Sequence, residues 1–556
     1  MTSKARGSSR FKLDFWTAVT VVVFALFLFF LIWPMARLLL NGFRDASTGA
    51  FSLENFKTFF GKKYYTNAIW NSLSVAVCVT AAAVIIGTLL AYLLTTFEIK
   101  GKGFIQILII LSMMSPSFIG AYSWIILLGR SGVVTMAMSN WLGVTIPSIY
   151  GFGGIVLVLV MKFYSMIYLY VSGAMKKIDV SLIEASQSLG CKPSANLIKM
   201  YVPLVLPTLL SAALMVFMTS ISDFGTAMLI GEGYRVLPVL IYREYMGELG
   251  GNAYFASSIA IVMMCLTTGL YLLQRYVINR KSFRMRGLKT IKAKPITGVG
   301  SVFAHIFIYG VVLLSIVPQA TVIYTSFLKT NGTMFTTQFS LDSYRATWRT
   351  ILSSLKNSFV YGLVAIALIV MLGIFTAYLS VRRRNVVTSL LDVTTMLPYI
   401  ISGSILGIML LLTFNKSPFF WGGTAIIMII AFVIRRLPHT LRSSVGILYQ
   451  ISPSTEEAAI SLGAHTAKAF FGVTVALMLP GVLTGAILSW VTVINELSAS
   501  IILYTSSTRT LSVAVYAEVA KANYGQAAAL ATVLMAATII SLLVFLKASG
   551  KKDISL

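Results

Sequence analysis

Four ionisable residues lie within or directly beside apolar runs of bilayer-crossing length. Lys162 is in the fourth run and Arg435 ends the tenth, while Asp223 and Glu496 follow the fifth and eleventh, both pairs at an offset of 273. Burying a charge in lipid costs at least about 2.5 kcal/mol on insertion scales, so such residues mark packing constraints or a pathway. Two readings of Lys162 and Arg435 stand: they anchor spans by reaching to an interface, or they form a basic pair near the inner mouth that shapes a gate or an anion preference. Asp223 and Glu496 are expected at outer span ends, where they receive a cation or serve as helix-end and docking residues. Enzyme chemistry has little to work with. His305, His439 and His465 are scattered, the three cysteines have no metal-ligand spacing, and no Gly-x-x-x-x-Gly-Lys-Ser/Thr phosphate loop occurs.

A second constellation is duplicated. DVSLIEASQSLG (Asp179–Gly190) and SPSTEEAAISLG (Ser452–Gly463) share Ser-x-x-Glu followed by a glycine six residues after the Glu. The pattern predicts a short helix with a capping box from Ser181 to Glu184 and from Ser454 to Glu457, stopped by Gly190 and Gly463 in a left-handed conformation. The small residues Ala185, Ser186, Ala458 and Ala459 let another surface approach closely. One copy reads equally as a well-capped interfacial loop; recurrence in the same loop of both halves favours a docking knob.

These residues need a membrane scaffold. Of 556 residues 57% are hydrophobic and 11% charged, and mean hydropathy is +0.86, which excludes an ordinary soluble domain. Twelve spans are expected, at about 15–39, 68–95, 104–128, 149–174, 202–222, 254–278, 301–327, 357–381, 387–413, 419–434, 472–494 and 524–546. The first run exceeds a signal-peptide core and is expected to be a retained anchor. With the N and C termini cytoplasmic, +20 of the +27 formal charge falls on the cytoplasmic side, so the basic excess reports topology and requires no nucleic acid.

The chain repeats itself. Asn71 matches Asn357, Gly87 matches Gly373, Tyr92 matches Tyr378, Pro116 matches Pro398, Arg235 matches Arg509 and Glu244 matches Glu518. Each half holds an even number of spans, so the repeats are parallel. The expected fold class is an all-α polytopic membrane protein of about 12 transmembrane helices in two parallel six-helix repeats. Its units are 1–279, with a cytoplasmic loop at about 175–201; a basic linker, 280–300; and 301–556, with a loop at about 435–471. Pro116 and Pro398 are expected to kink spans 3 and 9, and Gly120, Gly403 and Gly407 to permit close helix approach.

The paired Glu-Ala-Ala/Ser, three residues, then Gly in these loops resembles the cytoplasmic signature of the inner-membrane permeases of binding-protein-dependent ABC importers. The first copy departs at Ser186, and the second ends Val473–Ala476 without the signature's apolar-Pro pair, although Pro207 and Pro480 align. The doubled layout, with NELSASIIL from Asn495 and RTLSV from Arg509, is similar to ferric-iron transport permeases. The resemblance implies a type I ABC importer permease fold and alternating access. It makes Ser181, Glu184, Ala185, Ser186, Gly190, Ser454, Glu457, Ala458, Ala459 and Gly463 the ATPase-coupling residues. Lys162, Arg435, Asp223 and Glu496 are then candidates for the translocation path, with the two acids placed to take a cation from a solute receptor. No cofactor or metal is expected in this chain, with ATP and Mg bound by partner subunits. The implied partners are two ATP-binding cassette subunits, identical to each other, and a solute-binding protein, around one permease chain in a bacterial inner membrane. Ferric iron is the expected cargo, with phosphonate, phosphorylated sugar, polyamine or thiamine as alternatives. A twelve-span secondary transporter is the competing class, and it has no need of a duplicated loop between spans 4 and 5.

Overall fold

The computed structural model describes residues 15–548 apart from 47, 191–196, 248–250, 280–292, 297 and 333. Most of the expected linker and part of the 175–201 loop therefore lie outside the described residues. In lipid every backbone N–H and C=O must be satisfied internally, and the apolar runs accordingly form helices. Among the described residues ten helices are long and apolar enough to cross a bilayer, or eleven if the pair Val386–Ile400 and Gly403–Phe414, bent by 111°, is one broken span. The expected count of twelve differs at 419–434. That run lies mostly on helix Ala425–Leu448, long enough to cross at 24 residues but carrying Arg435, Arg436 and Arg442. Among the described residues one antiparallel ribbon, Leu328–Asn331 with Met334–Phe339, stands between the helices.

Span 3 of each half is broken outright, where a kink was expected. Helix Lys102–Met114 ends before Pro116, which sits at the N-cap of Ser117–Leu128 in an extended conformation; a proline there withholds no amide the helix needs. The fifth spans open alike: the wide π turns Leu197–Tyr201 and Phe470–Thr474 lead into Val202–Ile221 and Val475–Ile494, with Pro207 and Pro480 inside.

The repeat is visible in packing as well as order. Helix Lys63–Thr96 packs on Phe152–Met175, and its counterpart Asp342–Arg382 on Ala425–Leu448, with the fifth span against both partners in each half. Gly87 lets the first pair approach, since a Cβ there would lie 2.6 Å from the Tyr164 carbonyl oxygen. Hydrogen bonds recur at matching positions. Asn71 Nδ2 donates to the Arg235 carbonyl at 2.9 Å and Asn357 Nδ2 to the Arg509 carbonyl at 3.0 Å. Likewise Ser72 Oγ accepts from Leu237 N at 2.9 Å and Ser358 Oγ from Leu511 N at 2.8 Å.

The first helix of each half crosses to the other. Trp33–Gly42 touches Ala253–Asn279 of its own half and Gly403–Phe414 of the second; Val299–Ser326 touches Tyr524–Ala548 of its own half and Ser117–Leu128 of the first. One crossing is sealed by Phe29, Phe30 and Trp33 against Phe414, the other includes a 2.9 Å hydrogen bond between the Tyr164 and Ser315 hydroxyls. This reciprocal exchange ties the halves into one body and brings their interiors face to face.

Candidate functional site

Both duplicated loops form short helices, Val180–Ser188 and Pro453–Ser461. The expected capping boxes do not form. Asp179 Oδ1 accepts from Ser181 N at 3.1 Å and from Ser181 Oγ at 2.9 Å, and Ser452 is the N-cap of the second helix, so both caps fall two residues before Ser181 and Ser454. Aspartate caps at least as well as serine, and Pro453 is preorganised for the first helical position; both pull the start forward. Glu184 and Glu457, freed from capping, are exposed. Gly190 and Gly463 stop the helices at φ +88° and +92°. At the second, Ala464 N donates to the Ala459 carbonyl at 3.1 Å and Gly463 N to the Ile460 carbonyl at 2.9 Å, the bonding of a Schellman stop. A Cβ on either glycine would meet nothing within 4 Å, so backbone conformation alone calls for glycine. Ala185 and Ala458 are exposed, Ala459 is half-buried and Ser186 is buried, its hydroxyl donating to the Ile183 carbonyl at 2.8 Å. Leu189 and Leu462, beside the stops, are 89% and 90% exposed.

The second helix is held by a residue that sequence reading passed over. Glu456 accepts from the Tyr378 hydroxyl at 2.6 Å and from the Thr474 hydroxyl at 2.8 Å, linking it to the eighth and eleventh spans. The Tyr378 ring stacks on Trp16 with centroids 4.1 Å apart. In the first half the corresponding residues are Ile183, which is buried, and Tyr92 and Tyr201, whose rings meet edge to face at 5.1 Å. The Glu-Glu doublet at 456–457, unmatched in the first half, was the available signal.

The four ionisable residues come together at the junction of the halves. Glu496 is 3% exposed; its Oε2 lies 3.0 Å from Arg435 Nε and is also bonded by Arg436 Nη2, while Oε1 accepts from Ala499 N at 3.2 Å. The placement of Arg435 at the inner mouth and Glu496 at an outer end is thereby corrected, because they touch. Arg435 is ten residues into its helix, about 15 Å along at the usual rise: the helix outruns the apolar stretch used to place it. Glycine is required at 403, where a Cβ would sit 2.6 Å from both Arg435 Nη1 and Ser498 Cβ. Gly407 likewise admits Ile502, at 2.9 Å from such a Cβ, whereas Gly120 has looser contact, 3.4 Å from Val158.

Lys162 occupies the same depth of Phe152–Met175 and interacts electrostatically with Asp223 and Arg436. Asp223 accepts from the Ser117 hydroxyl at 2.8 Å and from Thr226 N at 2.9 Å. Asn495 Nδ2 donates across the halves to the Met114 carbonyl at 3.2 Å. A belt thus runs Asp223, Lys162, Arg436, Glu496, Arg435. Arg436 was missed, although the Arg-Arg doublet was in plain sight. Toward the face opposite the loop helices, burial pushes the Glu244 carboxyl above its usual range, and the Tyr65 hydroxyl donates to it at 3.3 Å. Among the described residues no three His, Cys, Asp or Glu side chains converge to hold a metal.

The chain is 28% identical over 538 residues to the ferric transport system permease protein FbpB of Actinobacillus pleuropneumoniae, covering 94% of this chain and 77% of that one. It is 28% identical over 506 residues to a putative ferric transport system permease protein of Haemophilus influenzae, covering 88% and 78%. A putative 2-aminoethylphosphonate transport system permease protein of Salmonella paratyphi A is 24% identical over 273 residues, 48% of this chain and 92% of that one. The family model for the binding-protein-dependent transport system inner membrane component matches twice, at residues 83–283 and 369–550, once in each half. A secondary transporter is thereby set aside, and ATPase and binding-protein partners follow from the family in general. With that family model matched over most of both halves, this chain belongs to the binding-protein-dependent ABC importer permeases, a non-catalytic multi-pass component of the inner membrane.

Proposed function

We propose that this single chain supplies both halves of the translocation path of an importer for ferric iron, coupled through Val180–Ser188 and Pro453–Ser461 to two identical ATPase subunits. The paired loop helices carry the reading: each ends on a positive-φ glycine beside an almost fully exposed leucine, and each presents an exposed Glu and Ala. Such a knob fits a cleft on a partner. With two knobs on one chain, the complex needs one permease, two ATPases and one receptor, with both knobs and both termini on the cytoplasmic side. Closure of the ATPases moves the knobs, and the halves, tied by their crossing first helices, turn relative to each other to open the path to one side at a time. Ferric iron is supported by the relatives that cover most of the chain.

A phosphonate is the second reading, supported by relatives that match about half of it. The test is uptake by proteoliposomes holding the complete complex, with iron and 2-aminoethylphosphonate offered separately. ATP-dependent iron accumulation that is lost in the double variant Glu184→Ala/Glu457→Ala, with membrane insertion intact, is the expected result. Unchanged uptake in that variant removes the loop helices from the mechanism, and uptake of the phosphonate alone replaces the cargo.

A further inference from the structure

The charge belt at the junction of the halves is unbalanced: among the described residues, Lys162, Arg435 and Arg436 share only Asp223 and Glu496. Glu496 is taken by both arginines and the Ala499 amide, and Asp223 by Ser117 and Thr226. Donors are left over. Arg435 Nη1 and Ser115 Oγ are buried without a hydrogen-bond partner, and the Lys162 ammonium, 5.6 Å from the Phe163 ring centre, has no ion-pair partner within 4 Å among the described residues. Lys162 and Ser115 open on a cavity of about 30 Å³ whose other polar lining is Ser112, Ser117, Ser315 and Gln319.

Among the described residues no carboxylate lines that cavity. The Ser112, Ser117 and Ser315 hydroxyls already donate to the Ile109 carbonyl, Asp223 and the Val312 carbonyl, which leaves the Lys162 ammonium, the Ser115 hydroxyl and the Gln319 amide as the recognition set for an oxygen anion, whose charge-assisted hydrogen bonds are the strong ones. The same set repels a bare multivalent cation. The walls come from spans 3 and 4 of the first half and from Val299–Ser326, the helix that crosses over from the second, so relative movement of the halves resizes the space. At about 30 Å³ it holds little more than a water, so a larger group enters only when the halves move apart.

We propose that the cavity at Lys162 is the membrane-embedded station of the transported solute and that it receives an oxyanion group. Ferric iron therefore crosses inside an anionic oxygen chelate, or the solute is itself an oxyanion such as a phosphonate. The inference rests on the importer reading above but not on the choice of cargo.

The experiment uses the complete complex in proteoliposomes. Radioactive iron is offered with labelled citrate, bicarbonate or phosphate in turn, and labelled 2-aminoethylphosphonate is offered alone in a parallel arm. A labelled anion enters in an ATP-dependent way, with iron or by itself. Lys162→Gln raises the apparent KM for its uptake about tenfold, Lys162→Arg preserves uptake, and receptor-stimulated ATP hydrolysis survives in both. Iron entering with none of the three anions overturns the proposal and leaves the ferric reading intact. Phosphonate entering while iron does not overturns the ferric reading and leaves this one standing. An unchanged KM in Lys162→Gln also overturns the proposal.

Discussion

The two halves place equivalent residues at equivalent depths but hold them by different means. In the second, Glu456 latches the loop helix to Tyr378 and Thr474, and Glu496 pairs with both Arg435 and Arg436. In the first, the latch position is the buried Ile183, and Lys162 opposes Asp223 without a close ion pair. Duplication preserved the frame, while the polar satisfaction of its interior diverged. The second half ties both of its guanidinium groups to one carboxylate; the first keeps an ammonium without a close ion pair at a cavity. A path that must bind and release needs at least one side whose charges are not spent on each other, since a buried charge that is fully paired gains little from a ligand.

The contrast breaks most sharply at the acids. Glu496→Gln strands two buried guanidinium groups and is expected to lower stability by about 3–5 kcal/mol, against about 1–3 kcal/mol for Asp223→Asn, which disturbs hydrogen bonds from Ser117 and Thr226. Thermal unfolding in detergent compares the two, and equal shifts would erase the asymmetry. The latch comes next. Glu456→Gln weakens two charge-assisted bonds, about 1–3 kcal/mol, and hydrogen exchange should quicken in Pro453–Ser461 while Val180–Ser188 keeps its rate; acceleration in both would mean the loop helices are not held separately.

Where the halves agree, so should their variants. Gly190→Ala and Gly463→Ala each force a side chain into a positive-φ position, about 1–2 kcal/mol apiece, and neither meets a steric obstacle. Matching losses of local protection sharpen the view that the stops are equivalent. Smallest is the cap effect: Asp179→Ala and Ser452→Ala cost about 1 kcal/mol each, visible as faster exchange in the first turn. A larger loss from Ser181→Ala and Ser454→Ala instead would restore the capping boxes.

Much of this was legible in the chain itself. The offset of 273 tied Lys162 to Arg435 and Asp223 to Glu496, and Gly190 and Gly463 announced left-handed stops because few other residues tolerate them. Apolar-run reading failed where charge is paired inside a helix: Arg435 and Arg436 ended the run at 434 although the helix continues to Leu448, which displaced Arg435 from mid-helix to a mouth. Local pattern also misplaced the caps, since Ser-x-x-Glu says nothing of Asp179 or Pro453 competing two residues upstream. Glu456 was invisible for another reason: its partners Tyr378 and Thr474 are 78 and 18 residues away, and only packing brings them to it.

The central claim is that one chain with two unequally seated loop helices does the work of a pair of permease subunits. Native mass spectrometry of the detergent-purified complex tests it most directly. One copy of this chain with two copies of a single ATPase is the predicted mass; two copies of this chain, or one ATPase per chain, would contradict it.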